Sequence, residues 1–359
     1  MKKIAFAIDS NTAGGAERVI VTLANYMAQK GHETYLVNSD SESNFYEVDD
    51  RVVVKKMHLD TTPSCGLLRF IKKYRYMKRF MNSHKLDVVV TFLFNMEAPT
   101  ILAGLSTGTR VVTSVRNAPW VYPSRQKAFR RFFYPKIAGV VFQSKMVKGY
   151  KDFRKITNSA VIMNPLSDKI SNYHDPVPYN QRRKIIINVA RLERQKNQAL
   201  LIKAFSDISK KFPQYDLYIF GEGSLRGELE RMIDELNLNE RVFLKGETPN
   251  ATINNRDAAL FVLSSNFEGF PNALAESMSL GIPSLSTDFD TGVASELIQD
   301  GINGWLTPMN DFECMKNKIA MILSLPGETI DSVALESAKV YYKLCAEKIC
   351  KEWENFILP

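Results

Sequence analysis

Two carboxylates eight positions apart, Glu268 and Glu276, lie in the segment Ser264-Ser265-Asn266-Phe267-Glu268-Gly269-Phe270-Pro271-Asn272-Ala273-Leu274-Ala275-Glu276-Ser277-Met278. An apolar strand, Ala259–Leu263, precedes it, and Pro271 suits the first turn of a following helix. This arrangement puts Glu268 in the loop before the helix and Glu276 on its second turn, both addressing one cleft. Such a pair can grip two ends of a polyhydroxylated ligand by charge-assisted hydrogen bonds, while the helix N-terminus draws a phosphate. Taken alone, Glu276 reads equally as a solvated helix acid. Glu268 does not, because Phe267, Gly269, Phe270 and Pro271 give it an apolar collar that a solvated loop has no use for.

Two glycine loops add to this chemistry. Strand Ile4–Ile8 runs into Asp9-Ser10-Asn11-Thr12-Ala13-Gly14-Gly15-Ala16-Glu17-Arg18 and then an amphipathic helix, so Gly14 and Gly15 would let an anion approach helix N–H groups closely. A tight turn would look the same. The second loop, Phe220-Gly221-Glu222-Gly223-Ser224-Leu225-Arg226-Gly227, looks like a dinucleotide fingerprint with its last glycine displaced. A nicotinamide site also needs an acid ending the next strand, which here ends at Leu244-Lys245-Gly246, so the loop reads as a turn near a nucleotide. Four cysteines (Cys65, Cys314, Cys345, Cys350) without a CxxC pair, and four histidines (His32, His58, His84, His174), argue against structural zinc.

The elements that must position these residues are short buried runs alternating with helical stretches. Strands are expected at Ile4–Ile8, Glu33–Asn38, Arg51–Lys55, Asp87–Phe92, Arg110–Val115 and Gly139–Phe142, and again at Ile185–Val189, Asp216–Phe220, Arg241–Leu244, Ala259–Leu263 and Ser284–Thr287. Continuous apolar runs of this kind belong to parallel sheets covered on both faces. With 359 residues, 45% of them apolar, the chain has room for two doubly wound α/β domains in tandem. The expected division is a first domain over 1–167, a Pro-rich linker over 168–183, a second domain over 184–340 and a terminal helical segment over 341–359. Charge divides the same way. Residues 1–165 hold 26 Lys and Arg against 12 Asp and Glu, a net +14, and the remainder is −6, so the overall +8 describes neither half. Disordered and disulfide-scaffold classes are excluded by composition. The Met1-Lys2-Lys3 start lacks a signal-peptide apolar region, and no run reaches the ~20 apolar residues of a membrane helix, so a cytoplasmic protein with peripheral membrane contact is expected.

The Glu268/Glu276 spacing in its Glu-Gly-Phe-Pro context resembles the signature of family-four retaining glycosyltransferases of the GT-B fold, two Rossmann-like domains facing a central cleft. Gly14-Gly15-Ala16-Glu17-Arg18 is similar to that family's first glycine loop, Ala190-Arg191-Leu192 with Lys196-Asn197 to its Arg-Leu-x-x-x-Lys element, and Gly221 with Gly223 to its mid-domain turn. Gly281-Ile282-Pro283 through Thr287, Gly292, Glu296, Gly301 and Gly304 resemble its closing segment. The resemblance implies transfer from a nucleotide-diphosphate sugar, a substrate rather than a cofactor, held mainly by the second domain. Arg191 and Lys196 would bind the diphosphate, Glu276 the ribose, and Glu268 the donor sugar; backbone N–H groups of Phe270, Asn272 and Ala273 would complete the phosphate site. Catalytic roles fall on Glu268, Arg191 and Lys196. Gly14 and Gly15 would meet the donor when the cleft closes.

Two departures from the family pattern matter. Where many members place a histidine, this chain reads Thr113-Ser114-Val115-Arg116-Asn117-Ala118-Pro119, which leaves Arg116, beside Asn117, to bind either the acceptor pyrophosphate or the donor sugar. Asp288-Phe289-Asp290 imitates a metal-binding Asp-x-Asp but falls at the family's Gly-Gly turn, so activity without metal is expected.

The basic charge concentrates in LLRFIKKYRYMKRFMNSHK, from Leu67 to Lys85. Leu67, Phe70, Ile71, Tyr74, Met77 and Met81 recur there at helical spacing, and Arg69, Lys72, Lys73, Arg75, Lys78 and Arg79 supply cations. A second cluster spans Arg125 to Phe133. Two such clusters in a +14 domain suggest an anionic membrane surface or ligand, and neither carries a nucleic-acid motif, so no nucleic-acid partner is expected. A polyprenyl-diphosphate-linked saccharide as acceptor would account for both. The expected activity is retaining transfer of a hexose or N-acetylhexosamine from a nucleotide-diphosphate sugar, with UDP as nucleotide; the alternative is a nucleotide-sugar epimerase of the same fold.

Overall fold

The computed structural model describes residues 1–9, 14–39, 46–59 and 66–358. Residues 10–13 of the first glycine loop, and Cys65, lie outside them. Two compact units result, one of Met1–Pro165 with Ala346–Pro359 and the other of Leu166–Cys345.

The first unit comprises β1 (Lys3–Ile8), α1 (Gly15–Gln29), β2 (Glu33–Asn38), β3 (Val53–Lys56), α2 (Gly66–His84), β4 (Val88–Phe92), α3 (Phe94–Thr107), β5 (Arg110–Ser114), α4 (Ser124–Phe133), β6 (Gly139–Phe142), α5 (Lys145–Lys148) and β7 (Ser159–Val161). Its seven strands are ordered β3-β2-β1-β4-β5-β6-β7. All pairs are parallel, with Phe6 in register with Leu36 on one side and Val90 on the other. The central strands β1 and β4 are buried because helices cover both faces, which is why Ile4–Ile8 and Val88–Val90 read as apolar runs.

The second unit comprises β8 (Arg183–Val189), α6 (Gln198–Ser209), β9 (Asp216–Phe220), α7 (Arg226–Glu235), β10 (Val242–Gly246), α8 (Ala251–Asn254), β11 (Ala258–Leu263), α9 (Asn272–Ser279), β12 (Ser284–Asp288), α10 (Val293–Leu297), β13 (Trp305–Pro308), α11 (Phe312–Leu323), α12 (Gly327–Ala338) and α13 (Val340–Leu344). Its six parallel strands are ordered β10-β9-β8-β11-β12-β13. The last helix, α14 (Ala346–Ile357), belongs to the first unit, where it packs on α1.

Three sequence expectations are corrected. Edge strands β7 and β13 were not anticipated: Ser-Ala-Val and Trp-Leu-Thr-Pro are short, and the first is half-exposed, so neither shows a buried run. The segment 168–183 is not a linker but part of the second unit. Pro176 packs against Gly281, the Tyr179 N–H donates to Asp331, and buried Arg182 donates to the carbonyls of Ala258 and Gly281. The terminal return starts at Ala346 rather than 341, because α13 stays with the second unit.

In both sheets the strand order reverses direction once, between β1 and β4 and between β8 and β11. Ligands of doubly wound sheets bind beyond the carboxyl ends of the strands at such a reversal.

Candidate active site

In the second unit the loops that leave β8 and β11 are adjacent, and they interlock. The Asn266 N–H donates to the Gln195 carbonyl (2.8 Å), the Asn266 amide to the Arg194 carbonyl (3.0 Å), and Ser264 Oγ to the Lys196 carbonyl (2.9 Å). Asn197, in the left-handed region at φ 48°, turns the chain from Lys196 into α6 and donates to Asn266 and Asn310.

This lacing brings Lys196 to Glu268, the Nζ–Oε1 distance being 2.5 Å. Glu268 is buried at 4% exposure, and it also accepts from Ser265 Oγ (2.6 Å) and Gln195 Nε2 (3.3 Å). Thr287 Oγ1 donates to the Ser265 carbonyl (2.6 Å), which ties the same loop to β12. Three donors fix the direction of this buried carboxylate. Lys196 retains two further ammonium protons, while the exposed Arg191 side chain has no partner among the described residues. The family resemblance gave both Arg191 and Lys196 to the diphosphate. Glu268 instead neutralises much of Lys196, and Arg191 carries the uncompensated charge.

Gly221 and Gly223 pack against the backbone of the loop that carries Arg191. A Cβ on Gly221, where φ is 139°, would lie 2.0 Å from the Ala190 carbonyl oxygen, and one on Gly223 would lie 2.4 Å from that of Leu192. Backbone bonds between Leu192 and Glu222 (2.9 Å) and between Leu225 and Leu192 (3.0 Å) complete the contact. These glycines therefore let the turn after β9 support the loop that presents Arg191.

Helix α9 begins after Pro271 and buries Leu274, Ala275, Ser277 and Met278. Glu276 is half-buried on it and accepts from Thr252 Oγ1 of α8 (2.9 Å). Phe270 is buried, and its carbonyl accepts the Asn272 N–H at 3.0 Å, so that N–H is already engaged within the protein. Ala273 lies in the first turn, where helix N–H groups lack intrahelical acceptors. Gln195, Ser265 and Thr252 were missed in the sequence, since nothing in their local context separates them from ordinary polar residues. Asp288 and Asp290 are exposed around buried Phe289, and among the described residues no group of three His, Cys, Asp or Glu is placed to hold a metal.

In the first unit, Gly14 precedes α1, its carbonyl accepting from the Arg18 N–H and from Tyr46 Oη (3.1 Å), and Gly15 is the first helical residue. Arg116, after β5, lies over the Phe92 ring at 3.7 Å and near Trp353 of α14, and it donates to Asn164 Oδ1 (2.5 Å). Burial pushes its guanidinium down to about 9. Asn117 turns its own loop by accepting the Ala118 N–H (2.8 Å).

Helix α2 forms, but two of its residues differ from expectation. Lys73 is buried at 3% exposure and ion-paired with Asp9 at the end of β1, whereas Leu67, expected in the apolar stripe, is 64% exposed. The helix turns Met77, Phe80 and Met81 inward together with Lys73, whose charge Asp9 neutralises. Arg69, Lys72, Arg75 and Arg79 are exposed, and Lys78 is half-buried. Lys72, Arg75 and Arg79 line a groove of about 570 Å³ with Tyr76, Phe80, Ser83 and Leu59. In the second cluster Arg130 is not on the surface either. It is buried against Glu97, with Nη2–Oε2 at 3.2 Å, and bonded to Tyr134. No described helix is long and apolar enough to cross a membrane.

Comparison with known proteins agrees with this geometry. The family described as Glycosyl transferases group 1 matches residues 169–337, and that described as Glycosyltransferase Family 4 matches residues 13–153. A Campylobacter jejuni protein named GalNAc-alpha-(1->4)-GalNAc-alpha-(1->3)-diNAcBac-PP-undecaprenol alpha-1,4-N-acetyl-D-galactosaminyltransferase is 27% identical over 90% of this chain and 89% of its own. A second from that organism, N-acetylgalactosamine-N,N'-diacetylbacillosaminyl-diphospho-undecaprenol 4-alpha-N-acetylgalactosaminyltransferase, is 28% identical over 88% of each chain. Among solved structures, a glycosyltransferase from Rickettsia africae superposes with a TM-score of 0.82 at 16% identity over 99% of both chains. Anabaena HepE in complex with UDP and glucose gives 0.78 at 18% identity, also over 99% of both.

Fold and site together define a GT-B glycosyltransferase acting in glycan biosynthesis. The chain belongs to glycosyltransferase family four. The epimerase alternative finds no support in these likenesses.

Proposed function

We propose that this protein is a retaining glycosyltransferase that moves a hexose or N-acetylhexosamine from a UDP-sugar to a polyprenyl-diphosphate-linked glycan. The observation that carries the reading is the Lys196–Glu268 couple on the loop that also carries Arg191, whose side chain has no partner among the described residues, at the sheet reversal where doubly wound sheets bind ligands. The two Campylobacter relatives support the acceptor class and the α-linkage by their names. An α-product from an α-linked UDP-sugar retains configuration.

In this reading the sugar C1–O bond to the β-phosphate breaks, and its electron pair leaves with UDP. The acceptor hydroxyl bonds C1 on the same face and passes its proton to the departing phosphate oxygen. Arg191 and the remaining protons of Lys196 stabilise the negative charge that grows on the diphosphate. Glu268 takes the sugar hydroxyls near C1 and stabilises positive charge there, and Glu276 takes the ribose. The α2 groove, with Lys72, Arg75 and Arg79 over Tyr76 and Phe80, suits the lipid-linked pyrophosphate at an anionic leaflet.

Release of nucleoside diphosphate from a panel of nucleotide sugars identifies the donor, with UDP-sugars expected to turn over. Glu268→Ala and Lys196→Ala each abolish release in a folded protein; wild-type rates in either overturn the site. Because side chains supply the charge opposite the diphosphate, activity survives EDTA. Complete loss in EDTA, restored by manganese, refutes that part.

A further inference from the structure

The acceptor groove proposed on α2 is lined by the first basic cluster alone; no residue of the second lines it. Helices α2, α3 and α4 pack side by side, α2 on α3 and α3 on α4. Side chains of α2, α3 and the 147–156 stretch share one apolar core against the sheet, so these elements form one layer. Apart from Glu97, the helices α2 to α5 contain no carboxylate, and Glu97 is buried on Arg130. Residues 119–155 hold ten Lys and Arg against the single acid Asp152.

The same layer carries exposed apolar side chains. Of the nine large hydrophobic residues exposed in the first unit among those described, seven lie on it, including Leu105 (43%), Trp120 (37%), Val121 (39%), Phe132 (58%) and Met146 (58%). Trp120 is fixed by the Tyr150 ring, 6.3 Å between centroids, and by Lys127 Nζ on its carbonyl (3.0 Å). The Lys136 ammonium lies 3.4 Å from the centre of the Phe132 ring. Water is a poor partner for this mixture. Aromatic and aliphatic side chains ringed by cations match the headgroup boundary of an anionic bilayer, where rings and chains enter the acyl edge and the cations meet lipid phosphates. A nucleic acid would use the cations and Trp120 but would leave Val121, Leu105 and Met146 without a role.

The geometry points to the α4–α5 face, with Trp120, Val121, Phe132 and Met146 among Arg125, Arg131 and Lys136, as a surface that docks on anionic lipid bilayers independently of the pyrophosphate groove on α2. Neither donor nor acceptor takes part, so it stands or falls apart from the transferase reading.

The test is flotation of the full chain with phosphatidylcholine vesicles with and without 30% phosphatidylglycerol. Binding is expected only to the anionic vesicles. Each surface cation contributes roughly a fivefold change in partitioning, so the combined Arg125→Gln, Arg131→Gln and Lys136→Gln variant loses about a hundredfold. Trp305 and Trp353 are 3% and 0% exposed, so a blue shift of tryptophan emission on vesicle addition reports Trp120, and it disappears in Trp120→Ala. Thermal melts confirm that these surface variants fold. The proposal is overturned by absent binding, by a loss confined to a Lys72→Gln, Arg75→Gln and Arg79→Gln variant, or by binding of single-stranded RNA while vesicles stay free.

Discussion

In the proposed mechanism Glu268 competes with the donor diphosphate for Lys196, so replacing it with Gln should separate nucleotide binding from transfer. The two charged groups are 2.5 Å apart, with side-chain exposures of 16% for Lys196 and 5% for Glu268. Unit charges ~4 Å apart in surroundings of effective dielectric ~20 attract by about 4 kcal/mol, and desolvation offsets much of that. A coupling of about 1–3 kcal/mol remains, measurable by urea denaturation of Glu268→Gln, Lys196→Met and the double variant. Removing the carboxylate leaves Lys196 uncompensated, and even about 1 kcal/mol of that charge directed at UDP tightens binding roughly fivefold by calorimetry. Sugar transfer falls sharply in the same variant. Arg191→Met is the control: its side chain has no partner among the described residues, so stability changes by less than about 0.5 kcal/mol while UDP binding weakens. A Lys196–Glu268 coupling near zero, or weaker UDP binding by Glu268→Gln, refutes the reasoning.

Lys73→Glu puts two carboxylates together at the end of β1 and costs about 2–4 kcal/mol, lowering the Tm by roughly 5–15 °C, whereas Lys72→Glu on the exposed face leaves the melt unchanged. Asp9 is held below the usual carboxylate range: burial opposes this, and the bonds from Lys73 and Ser39 outweigh it. Its stabilising contribution is present above the unfolded value of 3.8 and is lost as pH falls through the lower folded one, so Asp9→Asn flattens the decline in stability below pH 3.8 seen by circular dichroism. Gly221→Ala drives a methyl against the Ala190 carbonyl at a left-handed backbone position; the Arg191 loop shifts, and UDP affinity drops by about tenfold or more with stability lowered by about 1–3 kcal/mol.

Most strand positions were legible because strands covered on both faces carry runs of apolar residues, as in Ile4–Ile8 of β1, Val88–Val90 of β4, Ile185–Ile187 of β8 and Ala258–Leu263 of β11. Edge strands β7 and β13 bury less and were not visible. Site residues were legible where their chemistry was odd for its context, as with Glu268 inside an apolar collar. Thr252, Gln195 and Ser265 became recognisable only when distant segments met around the two acids.

Residue type and spacing, by themselves, determined two parallel α/β domains, the acidic pair, the basic first half and the lack of an apolar run of membrane-helix length, because these depend on local periodicity and composition. Tertiary structure alone decided what each charge does. Lys73 and Arg130 read as surface cations until Asp9 and Glu97, far from them in sequence, proved to neutralise them in the interior. Lys196 read as a free phosphate ligand until Glu268 took part of its charge. A charge shows in the sequence, but its partner and its solvation are set by contacts between residues 33 to 72 positions apart.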